Sequence, residues 1–391
     1  MKINSISRLK KIAKQKFLLR VDFNVPLQKG KIKDDYKIIA GLETIKYLTS
    51  RGGKLIIITH LGDPSGKPVA TLSAAPLAAR LAKATGLKVK FIPALIGAKV
   101  AKAIAEMNNG EIVFLENVRF NPGELKNDKV FAKQLAALGD VYVNDAFAVS
   151  HRAQASVDAI KNYLPAYAGL LLEQELQALN KIVKPKKPLV VMMGGAKIET
   201  KAALIAKLYP RANHILLGGG LANNFFKFKK LEIGKSLCDA DSLPIIKKLL
   251  AGKARDKKII LPVDVVVKGK NGKIMAKKIK AVIKTDNILD IGPETISLFA
   301  KYIKEANTII WNGPMGKFED PHFKNGTISL AQVIAARSKG QAYGVTGGGE
   351  TVEALKMSGM MEYVDWVSTA GGAMLSYLGG AKMPGLKKIV V

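Results

Sequence analysis

The sequence predicts an α/β protein with two mostly parallel sheets, each covered by helices on both faces. Three observations predict it. Short β-branched apolar runs alternate with Ala-, Leu- and Lys-rich stretches of helical character. The runs are continuously apolar, as strands buried on both sides must be. The 391 residues, at roughly 150 per domain, call for two or three domains.

The elements follow in order. Residues 17–25, 54–59, 111–118 and 141–145 read as strands, and 73–85 and 128–138 as helices between them. After Pro165 comes a long amphipathic stretch, 170–183. Lys184-Pro185-Lys186-Lys187-Pro188 then breaks it. A second series follows, with strands at 189–193, 214–217, 259–267, 308–311 and 342–346 and helices at 199–208 and 294–306. A helix joining two α/β domains at 165–188 explains this division. One large sheet with a long surface helix is the alternative. No repeat of 20–50 residues points to a solenoid.

Composition narrows the class. Hydrophobic residues at 48% and charged residues at 24% belong to a folded protein. The single cysteine, Cys238, excludes an intramolecular disulfide framework and a CxxC-type zinc site. No run approaches 18 apolar residues, so no membrane span is expected. Residues 1–16 are basic but lack the apolar stretch of a secretory leader, so a cytoplasmic location is expected. The net charge is +31, from 62 basic against 31 acidic residues. That excess suits an anionic partner, nucleic acid included. The basic residues are mostly scattered lysines, which a solvated surface explains equally well.

Ligands of open α/β sheets bind at the carboxyl ends of strands. In the second half those positions are glycine-rich: Gly194–Lys197, Gly218–Gly220, Asn312–Gly316, Gly347–Thr351 and Gly371-Gly372. Glycines let backbone N–H groups approach an anion, and a following helix N-terminus adds its field. Five such turns point to a phosphate-rich ligand, most simply a nucleotide. None is a Walker A loop or a full G-x-G-x-x-G fingerprint, which argues against a P-loop NTPase and a nicotinamide dehydrogenase. In the first half the strand ends carry Asp22, Asn24, His60, Arg119 and His151-Arg152. Arginine holds carboxylate or phosphate through paired hydrogen bonds, so these residues suggest a pocket for a small polyanion. Two pockets, one for a nucleotide and one for a small anion, suggest phosphoryl transfer with domain closure, which needs mainly positioning and positive charge.

Over essentially its whole length the chain resembles the phosphoglycerate kinase family. The resemblance is carried in order by residues 21–26, His60-Leu61-Gly62, LENVRFNPGE at 115–124, and 144–147 with His151-Arg152. It continues through 194–197, 218–220, 290–293, WNGPMGKFE at 311–319, 347–351 and 367–369. It implies two Rossmann-like domains joined by a long interdomain helix and hinge. It also implies transfer between 1,3-bisphosphoglycerate and MgADP, giving 3-phosphoglycerate and MgATP, in a monomer. The implied division is a phosphoglycerate domain over 1–165 with 376–391 packing back on it, a linker over 166–187, and a nucleotide domain over 188–375.

Carried over by position, Asp22, Phe23, Asn24, Lys37, His60, Leu61, Gly62, Asp63, Arg119 and Arg152 would surround the glycerate substrate. Lys197, Lys37, Gly371 and Gly372 would stabilise the transferring group. Gly195, Ala196, Lys197, Lys201, Gly218, Gly219, Asn312, Pro314, Glu319, Gly348, Gly349, Glu350 and Thr351 would hold the nucleotide. Glu319 would take the ribose hydroxyls and Glu350 the Mg²⁺. Several positions depart from the family pattern. Lys37 replaces a catalytic arginine, Asp63 replaces another arginine, and Glu350 replaces the metal-binding aspartate. Ala148 and Ala370 replace glycines. Lys37 and Asp63 are expected to pair, with Lys67 supplying further charge. A catalytically weakened nucleotide-binding relative and a basic nucleic-acid-binding protein are the alternatives.

Overall fold

The computed structural model describes residues 2–195, 198–239, 241–251 and 257–391. The chain divides into two compact units, one running to Gln177 and including Lys382–Val391, the other Ala178–Ala381.

The first unit is built on a six-stranded parallel sheet. Its spatial order is Val89–Ile92, Ile112–Leu115, Lys54–Ile58, Lys16–Val21, Val141–Asp145, Ala166–Ala168. Successive side chains on a strand face opposite sides, yet Phe17, Leu18, Leu19, Ile56, Ile57 and Ile58 are all fully buried. Both faces are therefore covered, which is why these strands read as unbroken apolar runs. Each such side chain contributes roughly 1.5–3 kcal/mol when taken from water. The first strand stops at Val21, so Asp22–Val25 form a loop at its carboxyl end rather than the strand expected to continue to 25.

Helix boundaries follow local chemistry. Ala75–Thr85 has Pro76 in its first turn and ends at Gly86, whose φ of 70° is left-handed. Lys129–Ala136 begins where the Asp128 carboxylate accepts the Phe131 N–H at 2.7 Å. Leu170–Val183 starts against the Asp145 carboxylate, which accepts the Leu172 N–H, and stops before Lys184-Pro185. That helix crosses the point at which the two units divide. Residues 384–391 return to the first unit: Ile3 bridges Val390, and Lys2 and Val391 exchange backbone hydrogen bonds.

The second unit repeats the plan. Its six-stranded parallel sheet runs Ile259–Ile260, His214–Leu217, Leu189–Met193, Thr308–Asn312, Tyr343–Gly347, Trp366–Ser368. Trp311, Phe299, Phe318 and Leu330 fill its core with no exposure, whereas Trp366 on the edge strand is half-buried. One expected element is corrected. Residues 259–267 are not one strand: Ile259–Ile260 edges the parallel sheet, while Asp264–Lys268 is the centre of an antiparallel sheet with Ile274–Lys278 and Asn287–Ile291. Pro262 lies between them, and a proline cannot donate to a ladder. Among the described residues, no helix is long and apolar enough to cross a membrane.

Candidate functional site

In the first unit the carboxyl ends of the parallel strands gather a positively charged surface. Arg20 sits fully buried in the strand Lys16–Val21, where sequence reasoning passed over it. Its Nε donates to Ser156 Oγ at 2.9 Å, and that hydroxyl donates to Glu124 Oε1 at 2.7 Å. Its Nη2 lies 3.2 Å from His60 Nδ1. A guanidinium only donates, so His60 Nδ1 accepts and the ring carries its proton on Nε2. Burial pushes the imidazole pKa well below 6.5; Asp22 opposes that, and Arg20, Arg119 and Lys37 add to it. His60 is therefore a neutral donor at the site.

Asp22 lies 3.7 Å from that ring and accepts from Lys37 Nζ at 2.7 Å. Burial alone would raise its carboxyl; Lys37 and the other surrounding positive groups hold it below the usual range. The partner of Lys37 is thus Asp22 and not Asp63, correcting the expected pair. Asp63 is exposed and acts electrostatically on Arg119 instead.

Arg119 carries the most informative geometry in this unit. It is 5% exposed, and Nη1 donates to the Gly62 carbonyl at 2.6 Å. Nε and Nη2 are buried without a partner. Buried donors are almost always satisfied, so two orphans on one guanidinium mark a place for an acceptor. Arg152 and Arg20 press on the same group. Three cations crowd here without enough carboxylate to answer them, which suits an anionic ligand.

The loop beside Arg119 is tied down by side-chain hydrogen bonds. Asn24 Oδ1 accepts the Gly62 N–H at 2.9 Å, and Asn117 bridges Leu61 N, Leu61 O and Leu72 O. Gly62 has φ of 59°, and a Cβ there would lie 2.7 Å from Leu72 Cδ2. Phe23 and Leu61 turn their side chains into the core, Phe23 against Phe114. Only their backbones border the loop. Arg152 is exposed.

The second unit holds a cavity of about 260 Å³ at the carboxyl end of its sheet. One wall is apolar, made by Phe226, Leu237, Val265, Ile288 and Leu289. Gly195, Gly219 and Pro314 form another side, and the exposed carboxylates of Glu319 and Glu350 complete it. An apolar slot with a few polar groups is the usual form of a small-molecule site. Lys201 stands in the first turn of Glu199–Leu208 and donates to the Gly194 carbonyl. Burial pushes its ammonium down to about 8, while Glu350 pulls it back up.

The glycine-rich turns divide into two kinds, which corrects the expectation that all offer N–H groups to an anion. The N–H groups of Gly194, Gly195, Gly218 and Gly219 already donate to the carbonyls of Asn312, Pro314, Met193 and Met315. These turns fasten neighbouring strand ends together, and a Cβ at Gly194 would overlap the Pro314 carbonyl. Asn312 donates to the Gly347 carbonyl at 2.5 Å, and Thr351 Oγ1 accepts from Gly313 N at 2.7 Å. Gly348 has φ of 109° and leads into Gly349–Met357; Gly371 and Gly372 open Gly371–Leu378. The first N–H groups of these two helices have no acceptor within the helix and can receive phosphate. A Cβ on Gly371 would strike the Gly348 Cα, so the two helix starts are closely apposed. Ala196 and Lys197, two of the expected nucleotide residues, lie outside the described residues.

Sequence reasoning missed Arg20 and the apolar wall. A lone arginine in the run Lys16–Val21 was the available signal for the first. The wall comes from four separate segments, and no spacing in the sequence joins them. Among the described residues, no group of three or more His, Cys, Asp or Glu could hold a metal ion. Glu350 stands as a single carboxylate in the first turn of its helix.

Comparison with known proteins agrees with this arrangement. The family model described as phosphoglycerate kinase matches residues 6–381. A protein named phosphoglycerate kinase from Pelotomaculum thermopropionicum is 41% identical over 384 residues, covering 96% of each chain. One of the same name from Methylorubrum extorquens is 42% identical over 381 residues, covering 96% of this chain and 95% of its own. The phosphoglycerate kinase structure from Coxiella burnetii superposes with a TM-score of 0.87 at 38% identity, covering 99% of both chains. That from Pyrococcus horikoshii gives 0.88 at 30% identity, covering 99% of this chain and 98% of the other. These matches lead to one conclusion: the chain belongs to the phosphoglycerate kinase family.

Proposed function

We propose that the chain is a glycolytic phosphotransferase that moves a phosphoryl group reversibly from 1,3-bisphosphoglycerate to ADP, giving 3-phosphoglycerate and ATP. The observation that carries the reading is the Arg119 guanidinium, buried with two unpartnered donors beside Arg20 and Arg152, where Asp63 and Glu124 offset only part of the positive charge. A phosphorylated glycerate supplies what that pocket lacks. Arg119 and Arg152 hold its charge, and Asn24, Asp22 and neutral His60 fix its hydroxyl and carboxylate end.

In the second unit the apolar wall takes the base and Glu319 accepts from the ribose hydroxyls. Lys201 and the helix starts at Gly349 and Gly371 receive the phosphates. Lys37 and Lys197 oppose the charge that spreads over the transferring group; electrostatics of this kind carries most of the work in phosphoryl transfer. Magnesium accompanies the nucleotide. Mg²⁺ usually takes one or two protein carboxylates with substrate phosphates completing its shell, and Glu350 alone fits that donor set. Hinge closure brings the two ligands together and excludes water. A cytoplasmic location and a monomeric state belong to the same proposal.

Coupled turnover with 3-phosphoglycerate and MgATP tests the reading, with Lys197→Ala as control. Turnover that disappears in the control is expected. Binding of MgADP without turnover in the parent chain would overturn it in favour of a non-catalytic nucleotide-binding relative.

A further inference from the structure

Lys161 is a lysine where none is to be expected: its side chain is 2% exposed. A buried ammonium must be paired and hydrogen-bonded to be tolerated. Its Nζ donates to the carbonyls of Pro384 and Lys387, the latter at 2.9 Å, with Asp158 Oδ1 at 3.7 Å. Those carbonyls bracket the single 3₁₀ turn Pro384–Leu386. The Lys388 ammonium returns the contact, donating to the Lys161 carbonyl at 3.0 Å. Burial lowers the Lys161 ammonium to about 8, with Lys387 and Lys388 adding to the shift and Asp158 opposing it.

Between the two clamped carbonyls lies Gly385. Its N–H donates to the Ser150 carbonyl at 2.8 Å, and its carbonyl accepts from Asn144 Nδ2 at 3.1 Å. Asn144 also donates to Ser150 Oγ, which donates to the Ala146 carbonyl. A Cβ on Gly385 would lie 2.7 Å from Ser150 Cα, so the turn rests directly on that backbone. Two residues on is Arg152, whose N–H donates to the Val149 carbonyl at 2.9 Å.

We propose that Lys161 is a positioning residue for the glycerate site: it clamps the turn at 384–387, and that turn holds the 144–152 segment that carries Arg152. The proposal rests on the reading that Arg152 binds the substrate. Steady-state kinetics of the full chain test it, varying 3-phosphoglycerate at saturating MgATP and then the converse. Lys161→Met and Gly385→Ala should each raise KM for 3-phosphoglycerate by about tenfold, the equivalent of one good hydrogen bond. KM for MgATP should not move, and Lys161→Arg should recover most of the loss. Gly385→Ala leaves the buried cation in place and decides the matter if Lys161→Met does not fold. An unchanged KM for 3-phosphoglycerate, or both KM values rising together, overturns the proposal. If the parent chain does not turn over, the kinase reading fails separately. Calorimetric titration of 3-phosphoglycerate into parent and variants then decides, with equal affinities or no binding at all counting against Lys161.

Discussion

At the scale of single residues, the departures from the family pattern find physical homes. Lys37 keeps a positive charge beside Asp22, so its replacement leaves that carboxylate answered. Asp63 is different, because it is exposed and sits in the field of a guanidinium with two unpartnered donors. It competes with an incoming anion. Asp63→Asn should therefore lower KM for 3-phosphoglycerate by roughly two- to threefold at low salt, the small effect of an exposed charge. Initial-rate measurements check this, and a raised KM would show that Asp63 helps to hold substrate.

His60 makes a second prediction. Its pKa is depressed in the folded chain, so between that value and 6.5 the unfolded chain binds more protons. Its contribution to stability is complete above pH 6.5 and is lost as pH falls through the folded value. Imidazole resonances followed by NMR should show no His60 inflection between about pH 6 and 8, where an unperturbed histidine would titrate. A midpoint near 6.5 would mean that the ring is solvated.

At the scale of elements, the strand ends were legible and their joinery was not. Parallel strands buried on both faces advertise themselves as apolar runs, and the residues just beyond them fall at the ligand-binding edge. That logic reached Asp22, His60, Arg119 and the helix starts at Gly349 and Gly371. It failed where the chain turns back on itself. Residues 259–267 look like one strand because Pro262 is a single interruption in an apolar run, yet the two parts serve different sheets. The missed antiparallel sheet also supplies Val265 and Ile288 to the cavity wall. The backbone donors of Gly194, Gly195, Gly218 and Gly219 were invisible for a related reason: composition shows that a glycine is present, not which carbonyl it meets.

The junction of that sheet with the helix Pro293–Glu305 can be tested. Asp264 accepts from Thr295 N at 2.7 Å, Thr295 Oγ1 at 2.6 Å and Glu294 N at 3.1 Å, capping the helix from a neighbouring strand. Asp264→Ala removes the cap and strands buried donors, so urea unfolding should show a loss of about 2–3 kcal/mol. Asp264→Asn, which keeps one acceptor, should lose less. Equal losses would show that charge rather than capping matters.

For the whole molecule, the excess charge has a simple arithmetic consequence. With 31 acidic residues for 62 basic ones, at most half of the cations can have a carboxylate of their own. The rest make a field that draws in anionic substrates and fades as salt shortens its reach to roughly 10 Å at 0.1 M. Raising ionic strength from about 0.03 M to 0.3 M should lower kcat/KM for 3-phosphoglycerate several-fold and leave kcat nearly constant. Stopped-flow or initial-rate data across a salt series check this. A salt-insensitive kcat/KM, with RNA bound steeply salt-dependently and indifferent to phosphoglycerate, would favour the nucleic-acid reading of the same charge.

The return of residues 382–391 to the first unit also orders events on the ribosome. Every residue of the second unit, Ala178–Ala381, is translated before the segment that closes the first. The nascent chain can therefore complete its second half while its first half still waits for Gly385 to reach Ser150 and for Ile389 and Val390 to pair with Asn4 and Ile3. Until then the ammonium of Lys161 has lost its two carbonyls and the apolar seat of Ile389 stands open to water. During synthesis, the half made first is the half finished last.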